Sequence, residues 1–245
     1  MSTINLYTRN LLETAAVSVT GEDAGFPATR LYDRAISLFW RYTAAGAVEF
    51  KADQGADGNQ AVDLLAIARH NFGGQDMAWQ YSSDDFGIDI HDAVPGWIQP
   101  DHLPIALTLA APITARYWRV TVGSMSDPRC SEIFLGAGLS LEIKSRPNPN
   151  RRLVSNVQWT QTVGGQERST KLGDRRRQRS LPLFLDPAGL DALRNGLEAL
   201  DEYSQPFFLQ DEDGAAWLCR LLDDPLENFD HKTHTHLTLN VIEML

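Results

Sequence analysis

Residues 112–136, PITARYWRVTVGSMSDPRCSEIFLG, constrain the fold more than any other stretch of this 245-residue chain. Residues 115–122 alternate, with Arg116, Trp118 and Val120 on one face and Tyr117, Arg119 and Thr121 on the other. Aromatic and β-branched residues at a period of two predict a half-buried strand. The break GSMSDP that follows is rich in residues that end pairing. Residues 132–135, EIFL, then predict a short apolar strand running into Gly136. Two strands across a loop need a sheet beside them, and these are expected to close a β-sandwich begun far upstream.

RYWRV, a loop and then EIFLG resemble the last two strands of a discoidin-like (galactose-binding-like) jelly roll, in the version found in bacteriophage tail proteins. Further motifs carry the same resemblance. Residues 26–43 are similar to a family segment whose Asp and Trp sit at the base of the sandwich, and Asp33 and Trp40 match them. AVDLLAIARHN, residues 61–71, resembles a family strand pair, with leucine where glycine is common. Leucine and alanine favour helix locally, so the strand here is implied by the resemblance. Ser83-Asp84-Asp85 matches the turn after the strand 77–82. The resemblance covers residues 15–138 and implies a jelly roll, with a cation near Asp33 in some members. The residues themselves favour a turn-capping Asp33, since no carboxylate cluster surrounds it, and a core-anchoring Trp40.

Other strands are expected at 17–20, 48–50 and 104–109, and a Pro- and Trp-containing loop at 91–103. Trp79, Tyr81, Trp97 and Tyr42 are candidates for stacking on a sugar ring, and Asp84, Asp85 and His91 for bonding its hydroxyls. The competing reading, and the better supported one, places aromatics that alternate along a strand in the core.

Composition matters chiefly through charge. Residues 1–143 hold nine Lys/Arg against seventeen Asp/Glu, residues 144–180 ten against two, and residues 181–245 three against thirteen. A net charge of −10 argues against a general nucleic-acid binder in spite of the basic run. No apolar run reaches the roughly eighteen residues that span a bilayer, and the first residues lack a signal-peptide core, so no membrane insertion is expected. Cys130 and Cys219 lie far apart without a CxxC motif and read as buried or half-buried thiols in a reducing cytoplasm. No nucleotide-binding, hydrolase or metalloprotease motif occurs, so catalysis, a cofactor and a metal are not expected. His231, His234 and His236 could converge on zinc, but they read better as a solvated strand entry.

KSRPNPNRR, residues 144–152, cannot sustain helix or sheet. The expected organisation is a sandwich at 1–142, a linker at 143–152 and a second domain at 153–245. There an alternating strand at 153–163, Gly164-Gly165 and a return strand at 166–172 predict a hairpin. DRRRQR precedes an apolar strand at 181–185. Asp186-Pro187 opens a helix whose leucines 190, 193, 197 and 200 form one stripe. Within it, Gly196 suggests close packing. Strands follow at 207–210, 216–222 and 236–243, and Asp211–Gly214 reads as a hairpin turn, not a calcium loop. The fold class is therefore mainly β: a jelly-roll sandwich plus an α+β domain with one helix on a sheet.

This order of elements resembles the C-terminal part of phage tail-tip proteins, with a fold related to the tail-tube sandwich. The two resemblances imply a structural component of a phage or prophage tail, made in the bacterial cytoplasm and located in the virion tail tip or baseplate. Its partners would be other copies of itself and other tail proteins, with a host surface glycan at the outward sandwich. Arg175, Arg176, Arg177 and Arg179, with Asp211, Glu212 and Asp213, are expected on a head-to-tail contact between copies in a ring. Phosphate contact is the other reading of the arginines. The alternative function is a carbohydrate-binding adhesion module that forms no ring.

Overall fold

Residues 2–7, STINLY, place Ile4 and Leu6 in phase with each other. In the computed structural model they form the strand Ser2–Tyr7, which pairs antiparallel with Leu139–Ile143 on one side and Phe207–Gln210 on the other. The structure describes residues 2–56, 58–143, 151–201, 203–231 and 234–244. Because its first strand pairs so far along the sequence, the chain divides into Arg9–Gly138 and a second unit made of Met1–Thr8 with Leu139–Leu245. The boundary expected at residue 142 thus lies at 138/139, and the first eight residues belong with the C-terminal unit. Residues 144–150 of the expected linker lie outside the described residues, and Arg151–Val154 is a strand.

Arg9–Gly138 contains the expected β-sandwich. One antiparallel sheet has the order Ala16–Val19, Gly46–Asp53, Tyr117–Met125, Asp76–Ser82, His91–Ile98. The other has the order Glu132–Gly136, Ala61–Ala68, Ile105–Thr114. Strand wins over helix at Ala61–Ala68 because this segment is the middle strand of its sheet. Almost every residue of it from Val62 on is buried, which explains its lack of alternation. The 91–103 segment, expected as a loop, begins with the strand His91–Ile98; Pro95 is tolerated because the strand lies at the sheet edge. Trp118, Val120 and Val122 point into a core with Trp40, Trp79, Phe50 and Phe72, while Arg119 and Thr121 take the opposite parity. Trp40 meets Phe50 edge-on at 5.0 Å, so it anchors the core as expected.

The second unit is the expected sheet with one helix, and its sheet closes on itself. Six antiparallel strands follow one another in the circuit Arg176–Leu185, Leu139–Ile143, Ser2–Tyr7, Phe207–Gln210, Ala216–Leu221, His234–Glu243. The last pairs back onto the first from Gln178↔Ile242 to Leu185↔Thr235. Closure removes the edges that an open sheet leaves exposed. Arg151–Val154 and Leu226–His231, a strand the sequence reading did not anticipate, attach to this circuit. The interior is filled by Ile4, Leu6, Leu181, Leu183, Phe207, Leu237 and Leu239, and by Leu190, Leu193 and Leu197 of the helix Pro187–Glu198. Gly196 lets that helix come close: an added Cβ would lie 3.2 Å from Thr8 Oγ1.

Asp186 caps the helix as expected, its Oδ1 accepting the Gly189 N–H at 2.7 Å, with Pro187 following. Asp186→Ala is expected to cost about 1 kcal/mol, and Asp186→Ser to stay close to the parent. Equal urea midpoints for the alanine variant and the parent would show the cap to be dispensable.

Candidate functional site

Period-two alternation turns one side of Gly46–Asp53, Asp76–Ser82 and Tyr117–Met125 away from the core. On that outer face Lys51, Arg119 and Gln80 lie side by side in register, as do Asp53, Tyr117 and Ser82. Arg119 donates from Nε to Gln80 Oε1 at 2.7 Å and from an Nη to Glu49 Oε2 at 3.1 Å. Gln80 in turn donates to Asp92 Oδ1 at 2.7 Å. Arg116 holds Asp53 with two hydrogen bonds, at 2.8 and 3.0 Å, and lies 4.7 Å from the Tyr117 ring centre. The Arg116 hydrogen bond keeps the Asp53 carboxyl below its usual range.

The segment after Ser82 folds over the end of this face. Its centre is Asp84, whose carboxylate accepts the N–H groups of Gly87, Ile88 and Asp89 at 2.8 to 3.2 Å and the Ser82 hydroxyl at 2.9 Å. Those backbone bonds, that of Ile88 first, lower the Asp84 pKa. Asp85 and Phe86 both sit in the left-handed region, φ 63°. From there Asp85 reaches Lys51 at 2.8 Å, and the Phe86 ring lies under the Arg119 guanidinium at 4.2 Å. The result is a plane of carboxylate, amide and guanidinium groups bordered by two half-buried rings. Such groups can bond paired hydroxyls, and ring faces can take the apolar side of a sugar.

The structure separates the residues expected to bind sugar. Trp79 is fully buried, its ring 5.6 Å from that of Trp118, so it belongs to the core. Tyr81 is half-buried between Trp118 and His91, and Trp97 and Tyr42 are half-buried against the core. Asp84 supports its loop and Asp85 pairs with Lys51, so both carboxylates are engaged within the chain. His91 is exposed and contacts Asp89. The ladder of Glu49, Gln80, Asp92 and Arg119 escaped the sequence reading. Its signal was present in the polar parity of each strand, but only the pairing register shows that these positions meet.

Beneath the sandwich lies a second polar cluster. Asn10 caps the turn Leu11–Glu13 with Oδ1 and donates from Nδ2 to Glu132 Oε1 at 3.1 Å and to the Ile133 carbonyl at 2.8 Å. The other oxygen of Glu132 accepts the Arg34 N–H at 3.1 Å. Glu132 is only 2 % exposed, and burial pushes its carboxyl up to about 8. Asp33 accepts the Ala35 N–H at 2.9 Å, the turn cap that the residues favoured. Cys130 and Cys219 are buried free thiols, and burial raises both pKa values.

In the second unit, Arg179 is buried and contacts both Asp211 and Glu212. These three were expected on a contact between copies; the structure instead engages them with one another. Arg177 lies 3.5 Å from Glu243, and its N–H donates to that carboxylate. Arg175 and Asp213 are exposed and Arg176 is half-buried. Asp211–Gly214 is a hairpin turn as expected, with Gly214 N–H bonded to the Asp211 carbonyl. The rings of His234 and His236 lie 4.6 and 4.5 Å from that of Phe184, and the side chain of His231 lies outside the described residues.

No protein-family model and no curated protein matches the chain. Among solved structures, a GH29 fucosidase of Ruminococcus gnavus in complex with fucose is 19 % identical over 55 % of this chain, with a TM-score of 0.46; the match spans 28 % of the fucosidase. Chitosan-binding module 1 of a chitosanase/glucanase from Paenibacillus sp. IK-5 is 18 % identical, covering 53 % of this chain and 99 % of that one, with a TM-score of 0.44. The family 32 CBM of Clostridium perfringens NanJ, in complex with galactose, is 17 % identical, covering 54 % and 98 %, with a TM-score of 0.42. No helix among the described residues is long and apolar enough to cross a membrane.

Proposed function

We propose that the chain is a non-catalytic binding protein whose sandwich recognises carbohydrate on the outer face of its five-stranded sheet. The observation that carries this reading is the ladder Glu49–Arg119–Gln80–Asp92, hydrogen-bonded across neighbouring strands beside the half-buried rings of Tyr117 and Phe86. A sugar bonded there replaces the solvent over groups that are already oriented, so little ordering cost remains. The partner is a glycan, in keeping with a host-surface ligand, and neither metal nor cofactor enters the reading.

A glycan array with the full chain, followed by calorimetric titration of the best ligand, tests it. Arg119→Ala is expected to weaken binding about tenfold or more, the loss of a hydrogen bond to a charged group, and Gln80→Ala, which removes a neutral one, by about threefold to tenfold. Their melting temperatures should stay near the parent's. Absence of binding across the array, or full affinity in both variants, would remove the proposal.

A second reading makes the chain a structural part of a phage or prophage tail tip or baseplate. In it the C-terminal unit joins other copies and other tail proteins, and the sandwich faces outward in the virion. What favours it is the exposed hairpin of that unit, Val157–Gln161 with Glu167–Lys171. Co-purification with tail proteins checks it.

A further inference from the structure

Residues 157–171 form a two-stranded sheet of their own. Val157–Gln161 pairs with Glu167–Lys171 through a turn at Gly165, φ 77°, and among the described residues no third strand pairs with either. Nearly every side chain of the hairpin is exposed, Trp159 to 68 %. A lone hairpin in water is marginally stable, and an open strand edge invites another chain.

The free edge of Glu167–Lys171 carries a register. The bonds Thr162 N–H to the Gln166 carbonyl and Leu172 N–H to the Asn156 carbonyl, both 2.8 Å, put the even-numbered residues of this strand in the hydrogen-bonded positions. By the alternation of an antiparallel ladder, the backbone groups of Glu167, Ser169 and Lys171 then face outward. We propose that this strand pairs antiparallel with the same strand of a second copy of this chain, about a two-fold axis at Ser169. In that register Glu167 stands opposite Lys171 of the other copy, twice. A shift to a centre at Arg168 sets that arginine against itself, and one at Thr170 opposes no opposite charges. Charge complementarity across the strands thus selects one pairing. Lys171 is available for it: its present contact, Asp174 at 2.7 Å, joins two mostly exposed groups, a pairing worth little. The opposite edge, VQWTQ, holds no charge to fix a register. The paired hairpins form a four-stranded sheet, with both Trp159 rings on one face beside the small Ser169 residues, since Trp159 and Ser169 are cross-strand partners.

This inference rests on the assembly reading of the C-terminal unit and is independent of what the sandwich binds. Its test is light scattering on the full chain in low salt up to high micromolar concentration, with Lys171→Glu, Glu167→Lys and the double swap. The expected result is an even-numbered oligomer whose dissociation constant rises about tenfold or more in each single variant and returns toward the parent's in the swap. An oligomer equally stable in all four proteins overturns the hairpin contact and leaves the assembly reading standing. A monomer throughout overturns both.

Discussion

Glu132→Ala is expected to destabilise the protein by about 3 kcal/mol, and Glu132→Gln to remove a pH dependence that the parent shows between about pH 5 and 8. The carboxyl receives hydrogen bonds from the Asn10 side chain and the Arg34 backbone inside a nearly dry site. Truncation leaves both donors without their acceptor, and each buried orphan costs about 1–3 kcal/mol. Asn10 also accepts the N–H groups of Leu12 and Leu135, so the damage reaches the turn Leu11–Glu13 and the strand Glu132–Gly136 together.

The direction of the pH effect follows from linkage. The folded carboxyl titrates at about 8, against 4.5 when it is unperturbed. Between these values the native state holds a proton that the unfolded chain has released, so stability falls as pH rises. The slope approaches about 1.4 kcal/mol per pH unit, and Glu132 contributes fully only below the unfolded value. His70 works the other way. Burial lowers its pKa from 6.5, so its contribution is present above that value and is lost as pH falls. The range from about pH 7.5 to 8.5, where an unfolded-state imidazole is nearly all neutral, therefore isolates Glu132. Urea midpoints across that range should decline in the parent and stay flatter in Glu132→Gln. Parallel profiles would mean that the native carboxyl is ionised throughout.

Local chemistry made much of the fold legible. The Asp186-Pro187 helix start and the Trp118-Val120 parity depend on neighbours in sequence, and the structure has them where they were expected. The hairpin at Gly164-Gly165 is present too, but the strand expected at 153–163 divides into Arg151–Val154 and Val157–Gln161. Long-range pairing was harder to read. The first strand expected from the sequence is 17–20, and Ser2–Tyr7 escapes that reading altogether, because its place in the fold comes from partners at residues 139–143 and 207–210. The domain boundary moved for that reason. Ala61–Ala68 illustrates another limit: a strand buried on both faces has no alternation, so its composition reads as helix. For the candidate site, the aromatics were the visible signal, and Trp79 went to the core. The polar ladder exists only through the register of Gly46–Asp53, Tyr117–Met125 and Asp76–Ser82.

Arg179→Met is expected to cost about 3–5 kcal/mol, because it leaves two carboxylates near a buried position without their cation. The run RRRQRSLPLFL contains the reason: Arg179 shares its parity with Leu181, Leu183 and Leu185, so the strand Arg176–Leu185 turns it inward with them. There it is 2 % exposed and contacts Asp211 and Glu212, whose side chains are 12 % and 22 % exposed. Both acids belong to the turn between Phe207–Gln210 and Ala216–Leu221, so one guanidinium ties that turn to a strand distant in sequence. Arg179→Lys should fall between parent and methionine variant, since an ammonium is a compact charge and cannot fork planar bonds to two carboxylates. Adding Asp211→Asn and Glu212→Gln to Arg179→Met should recover much of the loss by removing the charges left behind. Asp224→Asn, at an exposed position, is the control and should stay within about 0.5 kcal/mol of the parent. Urea denaturation of the four variants decides the matter. A methionine variant within about 1 kcal/mol of the parent would show that solvent satisfies the two acids as well as the arginine does.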